Sequence, residues 1–293
     1  MNNGNGVQLL NAAYQGERCA FSEEAASLLL GTEIRTTPCR TFEMMFEAVA
    51  SGAADCAVAP IENTLAGSVY KNYDLMMDHD LIIIGEAKLR IVHHLIAPGG
   101  VTFAQVRRVY SHPVALAQCE RFFQTHPQIE AEPAYDTAGS VKMIVERGNR
   151  DEAAIAGPRA AKVYGAQVIA EGIEDNAKNF TRFLLLARPD RADSIKRPSA
   201  SEPRKTSIVF RLANRPGMLV RALAAFAERD VDLSKIESRP IEGRPWEYSF
   251  YIDVAGDRRD PPVDYALNHL AEIAEAVRVL GSYPAAEELG AGN

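Results

Sequence analysis

Residues 179–186 read NFTRFLLL, which sets Thr181 and Arg182 side by side at the head of an apolar run. Its alternation and Phe/Leu content predict a buried strand. A strand core excludes a guanidinium unless it is paired, so Arg182 is expected at the strand's mouth, beside a cleft, with an anionic side chain or ligand opposite. Successive strand side chains point to opposite faces, so Thr181 and Arg182 can share a ligand only where the strand ends and the chain bends. Taken alone, the segment reads first as a strand-end Arg in a structural ion pair. Two other segments change that reading. ADCAVAPIENTLAGSV (54–69) is an apolar strand that runs into Glu62, Asn63 and Thr64, with a helix start expected near Gly67. VRRVYSHPVALAQCERFF (106–123) is a short strand followed by Ser111-His112-Pro113 at the opening of a helix. Strand, polar residues, helix N-terminus is how open α/β sheets build anion sites, because the first helical N–H groups lack partners and the dipole favours negative charge. Three such junctions predict one shared crevice.

The elements that must position these residues alternate. Strands are expected near 7–13, 34–38, 55–61, 106–110, 130–134, 152–156, 168–171 and 180–187, with helices over 21–30, 41–51, 68–78, 113–126, 137–148 and 158–165. That is the mark of α/β units. LIIIGEAKLRIVHHLIA (81–97) reads as two strands or as one that crosses between lobes. After Leu186 the chain turns rich in Pro, Ser and charge, so residues 188–204 form a linker. Beyond it, Ile208, Phe210 and Leu212 alternate, and Leu219, Leu223 and Phe226 follow helical spacing. A strand near 231–239, another over 246–254 with Trp246, Tyr248, Phe250, Ile252 and Val254 on one face, a helix through Val263, Leu267 and Leu270, and a strand at 276–281 complete a βαββαβ, ferredoxin-like plan.

Composition narrows the function class. With 293 residues, 47% of them hydrophobic, the chain exceeds what one core serves, so two domains are expected. A net charge of −7 without a long basic run excludes nucleic acid and anionic membranes as expected partners. Cys19, Cys39, Cys56 and Cys119 lack paired spacing and sit in or beside segments expected to pack, which predicts buried thiols and no zinc site. With an amino-terminal stretch that has no basic, apolar leader pattern, this places the expected location in the cytoplasm. There is no GxGxxG or Walker pattern, and the six His include no HExxH arrangement.

PIENTLAGSV, SHPVALAQ, AYDTAGSVKMI, AAIAGPRAAKVYG and NFTRF, in this order, resemble the successive motifs of prephenate dehydratase, and KIESRPIEGRPWEYSFYIDV resembles its carboxy-terminal regulatory ACT domain. The resemblance covers almost the whole chain. It implies a two-lobed, periplasmic-binding-protein-like catalytic domain over 1–187, with its second lobe over roughly 88–172 and the strand at 180–187 returning to the first lobe. A small ACT domain over 205–284 follows. The implied reaction is decarboxylating dehydration of prephenate to phenylpyruvate, driven by aromatisation, so no cofactor and no metal is expected, which agrees with the missing motifs. Arogenate, with an amino acid side chain instead of a keto acid, is the alternative substrate, and a non-catalytic small-molecule sensor is the alternative class. By the same resemblance Thr181 donates to the leaving hydroxyl, Arg182 clamps or orients an anion and Glu62 is a candidate proton source. Asn63, Thr64, Ser111, His112, Gln118 and Thr137 bind substrate. Cys19 stands where the family commonly has glycine. L-Phenylalanine is the implied effector, held by Gly217, Met218, Leu219 and Val220 at a strand-to-helix junction and by Glu237, Ser238, Arg239 and Pro240 in a second motif, within a homodimer or homotetramer.

Overall fold

The central strands form on the apolar runs, and side-chain caps or glycines mark the ends of several helices. The computed structural model describes residues 9–195, 203–241 and 243–286. The first lobe contains β1 (Asn11–Gln15), α1 (Phe21–Leu30), β2 (Arg35–Cys39), α2 (Phe42–Ala50), β3 (Cys56–Asn63), the short β4 (Gly67–Ser68), α3 (Tyr70–Asp78) and β5 (Ile82–Arg90). The second contains β6 (His94–Pro98), β7 (Arg108–Ser111), α4 (Pro113–Ala117), α5 (Glu120–Thr125), β8 (Glu130–Pro133), α6 (Thr137–Arg147), β9 (Glu152–Ala156), α7 (Pro158–Tyr164) and β10 (Ala166–Ala170). The chain then returns as β11 (Phe180–Ala187).

The first sheet has the order β2-β1-β3-β11-β5 with β4 paired to β3, and the second has the order β10-β6-β9-β7-β8. β1 runs parallel to β2 and β3, whereas β11 runs antiparallel to β3. One sheet therefore holds both the outgoing and the returning chain, which gives the two-lobed, periplasmic-binding-protein-like plan. Continuous apolar burial on β3, β9 and β11 reflects sheets covered on both faces. Thr41 caps α2 by accepting from Met44 N, Asp136 caps α6 by accepting from Gly139 N, and Gly148 and Gly165 end α6 and α7 in the left-handed conformation that a helix C-terminus favours.

The stretch 81–97 takes the two-strand reading, dividing at Ile91–His93 to give β5 to the first sheet and β6 to the second. Two elements differ from the sequence reading. The expected helix over 113–126 breaks, with Gln118 and Cys119 between α4 and α5. The expected helix start at 68 is instead the hairpin strand β4, which pairs Glu62 with Ser68 and Asn63 with Gly67.

The carboxy-terminal unit is the expected βαββαβ arrangement: β12 (Arg204–Arg211), α8 (Met218–Ala227), β13 (Leu233–Ile241), β14 (Arg244–Ala255), α9 (Pro261–Ile273) and β15 (Ala276–Pro284). Its sheet order is β13-β14-β12-β15, and Ile208, Phe210, Ile252 and Val254 pack against Ala222, Phe226, Val263 and Leu270. Residues Leu81–Glu86 belong to this unit, where Lys205 Nζ meets Glu86 Oε1 at 2.9 Å. Within the expected linker, Arg191 pairs with Asp55 at 3.0 Å and a single 3-10 turn spans Ala192–Ser194; residues 196–202 lie outside the described residues.

Candidate active site

A cleft of about 410 Å³ is walled by the ends of β1, β3 and β11, by the starts of α1, α4 and α6, and by the chain crossing between the lobes. Of the expected site residues, Asn63, His112, Gln118, Thr137 and Thr181 line it. Register brings Thr181 directly opposite Asn63 and Arg182 opposite Glu62 across the β3–β11 ladder. Alternation then separates the two neighbours: Thr181 and Phe183 line the cleft, and Arg182 is not among the lining residues. Glu62 is likewise off the lining and half-buried.

The polar wall is a connected set of amides. Asn63 Nδ2 donates to Asn179 Oδ1 at 2.8 Å, to Phe180 O at 3.2 Å and to Thr181 Oγ1 at 2.9 Å. Asn63 Oδ1 accepts from the backbone N–H of Leu65 at 3.0 Å and of Ala66 at 2.8 Å, and from Gln118 Nε2 at 3.3 Å. Gln118 Oε1 accepts from Asn179 Nδ2 and lies at the same 2.9 Å from His93 Nε2. Thr181 is only 9% exposed. Its oxygen is already an acceptor, so its hydroxyl hydrogen is left for a group in the cleft.

Thr64 and Ser111 do structural work instead. The Thr64 hydroxyl donates to Lys178 O and accepts from Phe180 N, which pins the end of β3 to the start of β11. The Ser111 hydroxyl, fully buried, donates to Ile155 O at 2.7 Å. His112 caps α4, accepting from Val114 N through Nδ1; desolvation lowers its pKa, with the Asp136 carboxylate opposing the shift.

Sequence reasoning missed Gln15, His93 and Asp136, which also line the cleft, and the buried Asn179 behind it. Asp136 is available as a signal in the capping sequence Asp-Thr-Ala-Gly, and His93 as a polar residue inside an apolar run. Burial raises the pKa of Asp136, while hydrogen bonds from the Gly139 and Glu17 backbone oppose it. Gly16, with φ +115, gives that carboxylate its room, since a Cβ there would lie 2.6 Å from Asp136 Oδ2. Cys19 has φ 73, a conformation that explains glycine at this position, and the Glu23 carboxylate holds its N–H at 2.7 Å. No side chain caps α1, whose first residues Phe21 and Ser22 face the cleft. No Lys or Arg is among the lining residues. The positive end of a helix that no side chain caps, that of α1, and the neutral donors of the wall are what the cleft offers to negative charge. Among the described residues there is no group of three or more His, Cys, Asp or Glu arranged to hold a metal, and no helix long and apolar enough to cross a membrane.

In the carboxy-terminal unit, Gly217 is the N-cap of α8 at φ 82, followed by Met218, Leu219 and Val220 in its first turn. A cavity of about 110 Å³ is lined by Asn214, Met218, Leu219, Trp246, Tyr248 and Phe250, among others. On β13, Ser238 and Pro240 lie opposite Phe250 and Tyr248 and share their face; Glu237 and Arg239 alternate to the other face.

The model of the prephenate dehydratase family matches residues 12–191, and that of the ACT domain matches residues 206–271. The chain is 44% identical over 293 residues to arogenate dehydratase/prephenate dehydratase 2, chloroplastic, of Arabidopsis thaliana, an alignment spanning 97% of this chain and 74% of the relative. Among solved structures, prephenate dehydratase of Arthrobacter aurescens in complex with L-Phe is 35% identical with a TM-score of 0.83, over 94% of this chain and 90% of that one. A structure described as GqqA, a novel type of quorum quenching acylase, is 34% identical with a TM-score of 0.82, over 94% of this chain and 98% of that one. Arabidopsis relatives are named chloroplastic, which overturns the cytoplasmic expectation. The thiol argument behind that expectation fails physically, because all four cysteines are buried, and buried thiols are inert to the redox state of their compartment. Over most of its length, and through both of its units, this chain belongs to the prephenate dehydratase family with a carboxy-terminal ACT domain.

Proposed function

We propose that the cleft converts prephenate to phenylpyruvate, in the biosynthesis of phenylalanine, as a carbon–oxygen lyase under feedback control by L-phenylalanine. The observation that carries this reading is Thr181, whose oxygen accepts from Asn63 and whose hydrogen is left to face the cleft. The C–C bond to the ring carboxylate breaks, its electron pair enters the ring, and the C–O bond to the ring hydroxyl breaks with its pair on oxygen. One proton is taken up; carbon dioxide, water and phenylpyruvate leave. The Thr181 hydroxyl is too weak an acid to be the ultimate proton source, so its contribution is a hydrogen bond that strengthens as charge grows on the departing oxygen. Gln118 supplies a second neutral donor, the substrate's carboxylates sit against the uncapped N-terminus of α1 and the neutral donors of the wall, and Thr137 contributes its hydroxyl beside the Asp136 cap of α6. His112 stands on the same wall as a polar contact. Arg182 and Glu62, adjacent across the ladder, act as orienters of the strand ends, and Thr64 and Ser111 hold the backbone that presents the donors. Arogenate, which keeps both carboxylates and the ring hydroxyl, fits the same donors, and the curated relative named above carries both activities in its name.

For regulation, the carboxylate of phenylalanine would dock at the N-terminus of α8 around Gly217 to Val220, with its ring in the cavity beside Trp246, Tyr248 and Phe250; Glu237 to Pro240 on the edge strand β13 would complete the site in a homodimer or homotetramer. Support comes from the solved relative bound to L-Phe and from Trp246, which is 77% exposed on that surface. Side-by-side turnover of prephenate and arogenate, with and without phenylalanine, tests the whole reading.

A further inference from the structure

Asn63, Asn179 and Gln118 form a closed ring in which each amide nitrogen donates to the next amide oxygen: Asn63 to Asn179, Asn179 to Gln118, and Gln118 back to Asn63. Such a ring has two possible directions, and they are chemically opposite. The direction is set at Asn63, where two backbone N–H groups, of Leu65 and Ala66, point at one end of the amide and the Phe180 carbonyl at the other. Those three groups cannot change role, so Asn63 Oδ1 is the acceptor end and Nδ2 the donor end. Asn179 must then accept through Oδ1 and donate through Nδ2, which makes the end of Gln118 facing His93 its oxygen. His93 Nε2 consequently carries hydrogen and donates to Gln118. The tautomer of a histidine is thus fixed by two backbone amides on the other side of the ring.

We infer that His93 and Asn179 are positioning residues for the dehydration: in the direction set at Asn63 they hold Gln118 Oε1 from two sides and so keep a Gln118 N–H, beside the Thr181 O–H, turned to the cleft as a donor. In the reverse direction Asn63 would offer Thr181 an oxygen, and the hydroxyl would spend its hydrogen on the protein. In the observed direction Gln118 Oε1 holds two donors, so Gln118 Nε2 keeps one hydrogen for Asn63 and has the other for the cleft. His93 is 2% exposed and Asn179 fully buried, so neither exchanges its partner for water. His93 Nδ1 finds no hydrogen-bond partner among the described residues. That is the state expected of a bare ring nitrogen, and desolvation lowers the pKa of the ring further. The charged and titratable neighbours of His93 are Glu174, which holds its backbone N–H at 3.0 Å, and His94.

The inference rests on the reading of Thr181 as donor to the departing hydroxyl, and the test separates the two. In full-length protein, His93→Leu removes the N–H while His93→Gln keeps one near the same point. With only Asn179 left on Gln118 Oε1, the carboxamide is free to turn its N–H away from the cleft, so His93→Leu is expected to lose on the order of tenfold or more in kcat with KM little changed, and His93→Gln to recover to within about threefold of the parent. Folding is checked by circular dichroism. Independently of any variant, nitrogen NMR of histidine-labelled parent protein at neutral pH is expected to show one imidazole protonated at Nε2 and bare at Nδ1, assigned to His93 by its absence in His93→Gln. A folded His93→Leu protein with unchanged kcat, a Gln variant as impaired as the Leu variant, or a His93 ring protonated at Nδ1 overturns the relay. An unchanged rate in Thr181→Val overturns the parent reading instead.

Discussion

Thr181→Val removes one hydroxyl from the cleft and leaves the side chain's shape. The structure sets what this should cost. Asn63 Nδ2 has two hydrogens and three acceptors, at 2.8 Å on Asn179, 3.2 Å on Phe180 and 2.9 Å on Thr181, so losing Thr181 leaves both hydrogens satisfied. No buried donor is orphaned, and the loss in stability is expected to stay below about 1 kcal/mol. The transition-state loss is a separate matter, because one donor aimed at developing charge in a water-excluded site is worth about 2.7–4 kcal/mol, or about 10²–10³ in kcat. The two magnitudes separate the roles. Steady-state kinetics with prephenate should show kcat reduced about a hundredfold or more, KM within about threefold, and Tm within a few degrees of the parent; Thr181→Ser should retain most of the activity. A kcat within threefold of the parent in a folded Val variant, or a loss confined to KM, refutes the argument that this hydroxyl acts in the transition state.

Four further outcomes are expected. Gly16→Ala puts a methyl against the Asp136 carboxylate at a positive φ, which should destabilise the catalytic unit by about 1–3 kcal/mol in chemical denaturation and raise KM; a neutral effect on both contradicts the packing. Asp136 has a raised folded pKa, so the stability its protonated form contributes is present below the ordinary carboxylate pKa and is lost as pH rises through the folded value. Asp136→Asn, which keeps an acceptor for Gly139 N, should flatten that part of the Tm-against-pH curve, and parallel curves for the two proteins count against it. Phenylalanine at about 100 times its Kd should stabilise the regulatory unit by about 2.7 kcal/mol, seen as a higher Tm together with a changed rate; saturating phenylalanine that moves neither is incompatible with an effector site. Gly281→Ala directs a Cβ into the backbone carbonyl of Ile83, which cannot yield as a side chain would, and calorimetry should show the carboxy-terminal unit melting earlier.

The sequence made the architecture legible where periodicity and capping agree. The apolar alternation of Ile208, Phe210 and Leu212 and the helical spacing of Leu219, Leu223 and Phe226 both appear as read, in β12 and α8. Thr181 is legible at the head of a strand and Asn63 at a strand-to-helix junction, Gln118 comes only from the resemblance, and the three meet in one cleft. Arg182 was not placed by the same logic, because a two-residue side-chain period needs register to become direction, and register comes from β3 across the ladder. Thr64 and Ser111 have the chemistry of ligands, yet their hydroxyls are consumed by Lys178 O and Ile155 O, contacts from residues 114 and 44 positions away. His93 and Asn179 were missed for a related reason: each acts through an amide brought to it by the return of the chain, and no local pattern encodes that meeting. The resemblance names Gly217 as an effector contact, and its φ of 82 shows that the backbone itself requires glycine there; a lost response to phenylalanine in Gly217→Val would therefore report strain at the start of α8 as well as blockage of a ligand.

The most direct measurement is turnover by the purified full-length protein given prephenate and arogenate in parallel, with phenylpyruvate or phenylalanine and carbon dioxide quantified together. One carbon dioxide is expected per aromatic product formed, from at least one of the two substrates, with release cut to about one per cent in Thr181→Val. Binding of either compound without release of carbon dioxide, in protein whose fold is intact, would contradict it and leave the cleft a sensor.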